Sequence, residues 1–272
     1  MKSVYTGGEK VAEFESYDEL RVGDGKPAFI YEGNELVYPN PIKDGLVLWY
    51  DFSGRTNADG QRGIAEDLSG NGNHGTLQNF NYSAESGYDR NKLLFDGVDD
   101  YIDTADNSTL QITKNITLEA LFYVESEDLN IGSIMVKGDN SGWSSNSYGI
   151  RQATTNEKNT VYKFFLYGED PNNHSNRIDV PISVGEFVYL SAQANFDAGE
   201  MRVYRNGVLL FSQDLIGIES INTKGTNLKV GTGYHSSFLN GSIYSARIYN
   251  KALTPEEIAH NYAIEKERFG IE

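Results

Sequence analysis

Residues 115–124, NITLEALFYV, place apolar side chains at every second position. Successive side chains on a β-strand point to opposite faces, so this spacing puts one apolar set on a single face. That set is Ile116, Leu118, Ala120, Phe122 and Val124, and the opposite face carries Thr117, Glu119, Leu121 and Tyr123. One buried face and one more polar face are typical of an antiparallel sheet.

From Leu46 onward, about a dozen short stretches are apolar or alternate in this way, and clusters of Gly, Asn and Asp separate them. Residues 204–210, YRNGVLL, predict a hairpin, because Asn206 and Gly207 both tolerate the positive φ of a type I′ turn. No helical pattern interleaves these stretches. The sequence therefore predicts an all-β fold of two packed antiparallel sheets.

One helix is predicted, at the C-terminal end of the sequence, in residues 253–270, LTPEEIAHNYAIEKERFG. Thr254 is the predicted N-cap, Pro255 suits the first helical position, and Glu257 completes a capping box. The apolar stripe expected to lie on the sandwich consists of Ile258, Tyr262 and Ile264.

Residues 1–43 differ from the rest of the chain. Residues 28–42, AFIYEGNELVYPNPI, predict a small hairpin around Gly33 and Asn34, ended by Pro39 and Pro41, which cannot continue a paired strand. Too few apolar residues lie here for an independent core. We predict that residues 1–43 are an attachment segment, stable when docked on the sandwich or on another protein, and that residues 44–272 form the sandwich and its helix. A disordered tail is the alternative for residues 1–43.

The composition limits the possible partners. The chain carries 39 Asp and Glu residues against 23 Lys and Arg, a net charge of -16, which repels a phosphate backbone and an anionic membrane surface. Nucleic acid is therefore not an expected partner. Cysteine is absent, so disulfides and zinc-thiolate sites are excluded. The sequence start lacks the apolar core of a secretory signal, and no stretch reaches roughly 18 apolar residues, so synthesis in the cytoplasm without membrane insertion is expected.

Four segments together resemble one family: GLVLWYDF at 45–52, DLSGNGNHGTLQN at 67–79, KLLFDGVDDYIDT at 92–104 with NITLEALFYV, and MRVYRNGVLL at 201–210 with LNGSIYSARIYNKALTPEEI at 239–258. They are similar to the laminin G-like domain of the concanavalin A-like lectin/glucanase superfamily, over roughly residues 45–265. The resemblance implies a jelly-roll sandwich. It leaves function open, because this fold carries lectins, adhesion modules and some glycosidases.

The glycine-rich stretch DLSGNGNHGTL, residues 67–77, is either a chemical site or a shaped turn. Glycines supply unusual backbone geometry and asparagines tolerate left-handed φ, while Asp67 is expected to accept backbone N–H bonds that hold the loop. No second histidine lies near His74 in the sequence. We therefore predict a structural turn, with no metal bound by His74.

The stretch FDGVDDYID, residues 95–103, crowds four carboxylates together: Asp96, Asp99, Asp100 and Asp103. Like charges this close repel unless a cation or backbone donors compensate them. Calcium accepts such oxygen ligands in flexible geometry, and many relatives of this fold hold calcium near a sheet edge. The sequence leaves two alternatives open, a calcium site formed by Asp96, Asp99 and Asp100, or an ordered acidic turn.

A sugar site needs an exposed aromatic ring for the apolar face of a sugar and polar groups for its hydroxyls. Two loops offer this mixture, GDNSGWSSNSYG at 138–149 and GTGYHSSFLNG at 231–241. The predicted ligand-binding residues are Trp143, Asn146, Tyr148, Tyr234, His235, Phe238 and Asn240. The alternative is that these aromatic residues pack against their own loops or a neighbouring subunit. Trp49 is expected in the core.

Catalysis is not expected. Retaining glucanases of this superfamily place two glutamates and an aspartate alternately on one strand, so that two carboxyl groups face the cleft. No run of this kind occurs here, and Glu119 is followed on its face by Leu121 and Tyr123.

A lectin-like sandwich without an export signal fits a bacteriophage structural protein, because virion components fold in the host cytoplasm and meet glycans after lysis. Residues 30–39, IYEGNELVYP, also resemble hairpins that begin structural proteins of phage tails and heads. We therefore predict a virion protein that binds other virion proteins through residues 1–43 and cell-surface polysaccharide through the sandwich. A purely architectural decoration protein and a polysaccharide-cleaving enzyme are the alternatives, and a homo-oligomer is left open.

Overall fold

The computed structural model of the chain describes residues 2–6, 9–14, 28–32, 35–125, 132–138, 146–152, 161–169, 175–232 and 237–271. Within these residues two compact units separate, one made of residues 1–41 with 264–272 and the other of residues 42–263. No helix in the described part of the chain is long and apolar enough to cross a bilayer.

The described residues form strands, one short 3₁₀ helix at Ser108–Leu110 and one α-helix, α1, at Pro255–Phe269. The strands are β1 (Lys2–Thr6), β2 (Glu9–Phe14), β3 (Ile30–Glu32), β4 (Glu35–Tyr38), β5 (Leu46–Asp51), β6 (Ile64–Ala65), β7 (Gly75–Gln78), β8 (Gly87–Asp89), β9 (Lys92–Asp96), β10 (Tyr101–Thr104), β11 (Ile116–Val124), β12 (Met135–Gly138), β13 (Asn146–Gln152), β14 (Val161–Tyr167), β15 (Ser175–Pro181), β16 (Phe187–Asn195), β17 (Glu200–Arg205), β18 (Val208–Asp214), β19 (Leu228–Val230) and β20 (Asn240–Tyr249).

Two antiparallel sheets form the larger unit. Sheet I has the order β15-β14-β13-β12-β19-β10-β7-β6, and sheet II has the order β18-β17-β16-β11-β20-β9-β8. The long strand β20 is shared, because its first half pairs with β9 and its second half pairs with β5. The predicted all-β sandwich is confirmed, and its sequence-distant pairings match a jelly-roll.

The core lies between the two sheets. The apolar face predicted for β11 belongs to one buried cluster that also contains side chains of sheet I. Phe122 of β11 meets Tyr162 of β14, with 5.7 Å between the ring centroids. Trp49 is fully buried as predicted, but it lies outside this cluster and beneath the guanidinium of Arg247.

The second face of β11 is also buried, which the sequence pattern does not predict. Thr117, Glu119 and Leu121 are all enclosed. The Thr117 hydroxyl donates to the Lys251 carbonyl at 2.8 Å and accepts the N–H of Leu253 at 3.0 Å. The chain that leads into α1 therefore covers this part of sheet II.

Two local predictions are confirmed in detail. The hairpin between β17 and β18 turns at Asn206 and Gly207, whose φ angles are 51° and 76°. At the start of α1, the N–H of Glu257 donates to Thr254 Oγ1 at 3.2 Å, and Glu257 Oε2 accepts the N–H of Thr254 at 2.9 Å. This reciprocal pair is the predicted capping box.

The smaller unit contains two hairpins. The predicted one joins β3 to β4, and β4 ends immediately before Pro39, whereas its turn residues Gly33 and Asn34 lie outside the described residues. The other hairpin pairs β1 with β2 and was not predicted. The role of residues 1–43 as an attachment segment stays a prediction.

Candidate functional site

Asp67 organises the glycine-rich turn. Its Oδ1 accepts the N–H groups of Trp49 at 2.9 Å and Ser69 at 3.0 Å, and its Oδ2 accepts the N–H of Asn73 at 2.9 Å and the Ser69 hydroxyl at 2.8 Å. The ring of His74 accepts the N–H of Asp67 through Nδ1 at 3.0 Å. Four donors from neighbouring residues satisfy this carboxylate. Asp67 therefore serves to shape the loop. The prediction of a structural turn is confirmed.

The acidic turn, residues 96–100, joins β9 to β10 and brings three carboxylates together. One oxygen each of Asp96, Asp99 and Asp100 lies within 4.8 Å of the others. Asp103 does not belong to this group, because its oxygens accept the Nδ2 of Asn227 at 3.0 and 3.2 Å. The structure therefore brings together the three residues predicted as metal ligands.

Asp100 is the buried member of the acidic turn. Its Oδ2 accepts the N–H of Asp96 at 3.1 Å, whereas its buried Oδ1 has no hydrogen-bond partner among the described residues. Burial raises the pKa of Asp100 to about 6, although hydrogen bonds from Ser86 and from the Asp96 N–H lower it. A buried carboxylate oxygen without a donor is costly unless a cation or a proton occupies it. Three oxygen donors around such an atom fit a calcium ion.

Two of the predicted sugar-binding residues lie beside this turn. Asn240 is opposite Asp96 in the β9–β20 pair, and a side chain at Gly97 would come within 2.8 Å of the Asn240 Cβ. Phe238 packs against Tyr101, which directly follows Asp100, with 6.3 Å between the ring centroids. We call this group the acidic-aromatic rim, and it consists of Asp96, Asp99, Asp100, Tyr101, Phe238 and Asn240.

The other predicted sugar-binding residues do not join the rim. Tyr148 is fully buried in the core, and its hydroxyl donates to the Leu110 carbonyl at 2.8 Å. Asn146 is only 4% exposed and packs against Gly138 of the neighbouring strand. Neither side chain can contact a polysaccharide, so both predictions are wrong. The positions of Trp143, Tyr234 and His235 lie outside the described residues, and their role stays a prediction.

A buried polar cluster beneath α1 was missed by the sequence analysis. The Glu119 carboxylate accepts the Nδ2 of Asn261 at 2.8 Å and lies 3.9 Å from Arg247 Nη1. Burial raises the pKa of Glu119 to about 7, while the Arg247 charge and hydrogen bonds from Tyr189, Asn261 and Ser191 lower it. Because sheet and helix enclose this carboxyl group, it holds α1 in place and does not face a substrate.

The fold is similar to several solved receptor-binding domains of botulinum neurotoxins. The binding domain of the C/D mosaic serotype has a TM-score of 0.60 at 15% identity, covering 82% of this chain and 52% of that chain. The serotype G binding domain has a TM-score of 0.59 at 14% identity, covering 81% and 51%. A serotype D ligand-binding domain solved with N-acetylneuraminic acid has a TM-score of 0.58 at 16% identity, covering 82% and 51%.

This chain therefore spans about half the length of the domains it matches, and at these identities the similarity concerns the fold alone. No curated protein sequence matches the chain.

A family model, by contrast, matches directly at the level of sequence. It covers residues 96–259, which include the acidic turn, β11, the β17–β18 hairpin and the start of α1. The match includes most of two of the four segments that carry the resemblance in the sequence, whereas residues 45–52 and 67–79 lie outside it. The match spans more than half of the chain, and the chain belongs to the concanavalin A-like lectin/glucanases superfamily.

Proposed function

We propose that the sandwich is a lectin-like module that binds glycans without cleaving them and that its contact site is the acidic-aromatic rim. The observation that carries this proposal is the position of Asn240 beside the acidic turn, with the Tyr101–Phe238 ring pair next to both. Carboxylates and amides bind sugar hydroxyls, and aromatic rings pack on the apolar face of a sugar. The serotype D domain solved with N-acetylneuraminic acid makes a sugar a sensible first ligand class to test.

Calcium is part of the proposal. Asp96, Asp99 and Asp100 would hold the ion, since their oxygens converge and the buried Oδ1 of Asp100 has no other partner in the described residues. A bound calcium ion supplies positive charge and coordinates oxygen atoms, including hydroxyls. The chain's own residues hold the turn in shape, because the Asp96 carboxylate accepts the Val98 N–H at 2.8 Å and Asn79 donates to the Asp99 carbonyl at 2.9 Å.

The biological setting we propose is a bacteriophage virion. The chain would be made in the host cytoplasm, attach to other virion proteins through residues 1–43, and present the sandwich to cell-surface polysaccharide. The separate unit formed by residues 1–41 with 264–272 and the absence of cysteine support this layout. Shallow sugar sites bind with roughly millimolar affinity, about 4 kcal/mol, and many copies on one particle raise the effective affinity by ~100-fold.

A second candidate function is architectural decoration of a virion, through contacts with protein alone. Edge strand β18 favours it, because the consecutive apolar residues Val208, Leu209, Leu210 and Phe211 are all exposed. Exposed apolar edge strands mark surfaces that pair with another protein. Pairing of two copies of the chain through β18, which gives a homo-oligomer, is one form of this architectural function.

The experiment is a binding assay with the chain displayed in many copies on beads, against purified bacterial wall and capsule polysaccharides, in calcium and in EDTA. We expect retention that EDTA and Asn240→Ala both abolish. The matched control is Asn91→Ala, an exposed asparagine at the other end of β9. We expect no release of reducing sugar from the bound polysaccharide. Retention unaffected by Asn240→Ala would refute the rim, and released oligosaccharide would favour an enzyme.

A further inference from the structure

Three aromatic side chains form a ladder across neighbouring strands of sheet II, outside the site described above. The rings of Tyr123 on β11 and Phe187 on β16 have centroids 5.4 Å apart at 60°, and Phe187 meets Tyr244 on β20 with the same separation and angle. Phe187 is 38% exposed and Tyr123 is partly exposed, whereas Tyr244 is 8% exposed. The ladder therefore presents the rings of Phe187 and Tyr123 to solvent, while the ring of Tyr244 is buried.

Two carboxylates lie near Tyr244, the buried member of this ladder. Burial raises the pKa of the Tyr244 hydroxyl, and the nearby charges of Asp89 and Glu125 raise it further. Both acidic side chains are exposed, and the Tyr123 ring contacts Phe187, which also contacts Tyr244. Aromatic surface beside carboxylates suits a ligand with an apolar ring face and hydroxyl groups. Negative charge at this place disfavours an anionic sugar.

Strand register puts the ladder on the same face of sheet II as Asn240 and Asp96, the two rim residues that lie on strands of that sheet. Phe187 is opposite Tyr123, Tyr123 is opposite Ser242, and Asn240 is opposite Asp96. Directly paired residues point to the same face, and so do residues two apart on a strand. Glu125 near the ladder and Asn240 of the rim are directly bonded, since the Glu125 N–H donates to the Asn240 carbonyl at 3.0 Å.

The ladder and the Asn240–Asp96 pair therefore occupy one strip of sheet II across four adjacent strands, β16, β11, β20 and β9, with the buried Ser242 between them. Three strand spacings of ~4.8 Å separate the first of these strands from the last, so the strip is about 14 Å long. This length suits several linked sugars better than a single terminal sugar.

We propose that the aromatic ladder is a second glycan subsite, on the same strip of sheet II as Asn240 and Asp96 of the rim, and that the strip binds a chain of neutral sugars along its length. This inference rests on the proposed function, because the rim is one end of the strip. Phe187 stacks on the apolar face of one sugar. The Glu125 carboxylate accepts hydrogen bonds from sugar hydroxyls, and the Tyr123 hydroxyl can donate to them or accept from them. The rim then binds the next part of the chain.

The test is affinity electrophoresis in gels that contain dextran, laminarin, galactomannan or the anionic polysaccharide alginate, with calcium present. We expect retardation by at least one neutral polysaccharide and about tenfold weaker association for Phe187→Ala. Phe187→Leu, which removes the ring but keeps apolar bulk, serves as a second variant if the first unfolds. Ile64→Ala is the matched control, because Ile64 is 39% exposed but lies on β6 of sheet I, away from both proposed surfaces.

The outcomes separate the two proposals. Loss of binding in Asn240→Ala together with wild-type binding in both Phe187 variants would overturn the strip and leave the rim intact. Wild-type binding in all three variants would overturn both, as would no retardation of the wild-type chain in any gel. Preferential retardation by alginate would overturn the assignment to neutral sugars.

Discussion

Asn261, on the C-terminal helix, donates a hydrogen bond of 2.8 Å to the carboxylate of Glu119 in the middle of β11. The same amide donates to the Tyr249 hydroxyl at 3.0 Å, so it joins the helix to two neighbouring strands. All three residues are buried. A polar helix-to-sheet contact of this kind fixes the position of α1 more specifically than an apolar stripe can, because its geometry is directional.

The first prediction concerns the pH dependence of stability. The pKa of Glu119 is raised to about 7 in the folded chain from an ordinary 4.5, so the folded state binds the proton more tightly than the unfolded state. This stabilisation is fully present below about pH 4.5 and is lost as pH rises to about 7, a change of about 3 kcal/mol. In Glu119→Gln the free energy of unfolding should lose this slope, as measured by urea unfolding between pH 4.5 and 8.

The control for this measurement is Glu125→Gln, an exposed glutamate just after the same strand. That variant should keep the wild-type pH profile. If Glu119→Gln and the wild type show the same slope over this range, the carboxyl group does not titrate as its burial requires.

A second prediction concerns Asp67, whose two carboxylate oxygens accept four hydrogen bonds. In Asp67→Asn one oxygen becomes an amide NH₂, which faces donors instead of accepting from them. We expect a loss of about 2 to 4 kcal/mol in the free energy of unfolding, since hydrogen bonds to a charged group are strong and their donors would stay unsatisfied. Asp179→Asn, on an exposed position of β15, should change stability by less than about 0.5 kcal/mol. Equal stability of both variants would contradict the structural role of the turn.

The sequence predicts those parts of this fold that depend on local pattern. Alternation in β11, the Asn206–Gly207 turn and the capping box at Thr254 each need only a few neighbouring residues, and the structure confirms them. The sequence analysis predicts Tyr148 as a ligand-binding residue, but Tyr148 and Ile150 stand two residues apart on β13 and both side chains are buried. The alternation of Tyr148 and Ile150 in the sequence is the pattern that indicates a core position for Tyr148.

Long-range pairing explains what the sequence could not predict. Asn240 meets Asp96 only because β20 pairs with β9, and Glu119 is enclosed only because α1 packs on sheet II. No local period indicates which polar residue on one strand faces which on another, because pairing partners depend on the sheet order. The rim and the ladder are therefore visible only in the folded chain.

A third prediction concerns the start of α1. Thr254→Ala removes the hydroxyl that accepts the Glu257 N–H and should lower the free energy of unfolding by about 1 kcal/mol. Glu257→Gln keeps a side-chain oxygen that can still accept the Thr254 N–H, so it should cost less. Thr113→Ala, at an exposed loop position, serves as the control in thermal unfolding. Identical midpoints for Thr254→Ala and Thr113→Ala would show that the cap contributes nothing measurable.

The last prediction concerns calcium at the acidic turn. Calcium at 100 times its dissociation constant should stabilise the folded chain by about 2.7 kcal/mol, which raises the thermal midpoint by roughly 5 °C or more. Asp99→Asn should remove most of this shift, because the exposed Asp99 supplies one of the three converging oxygens without being needed for the core. Asp103→Asn should retain the shift, since Asp103 lies in the same stretch but binds Asn227 instead. Magnesium should act weakly, because it demands a smaller and more regular oxygen shell. An equal rise in the thermal midpoint of the wild type and both variants would show that calcium binds elsewhere. No rise in the wild type would contradict calcium binding, and a proton would then satisfy the buried oxygen of Asp100.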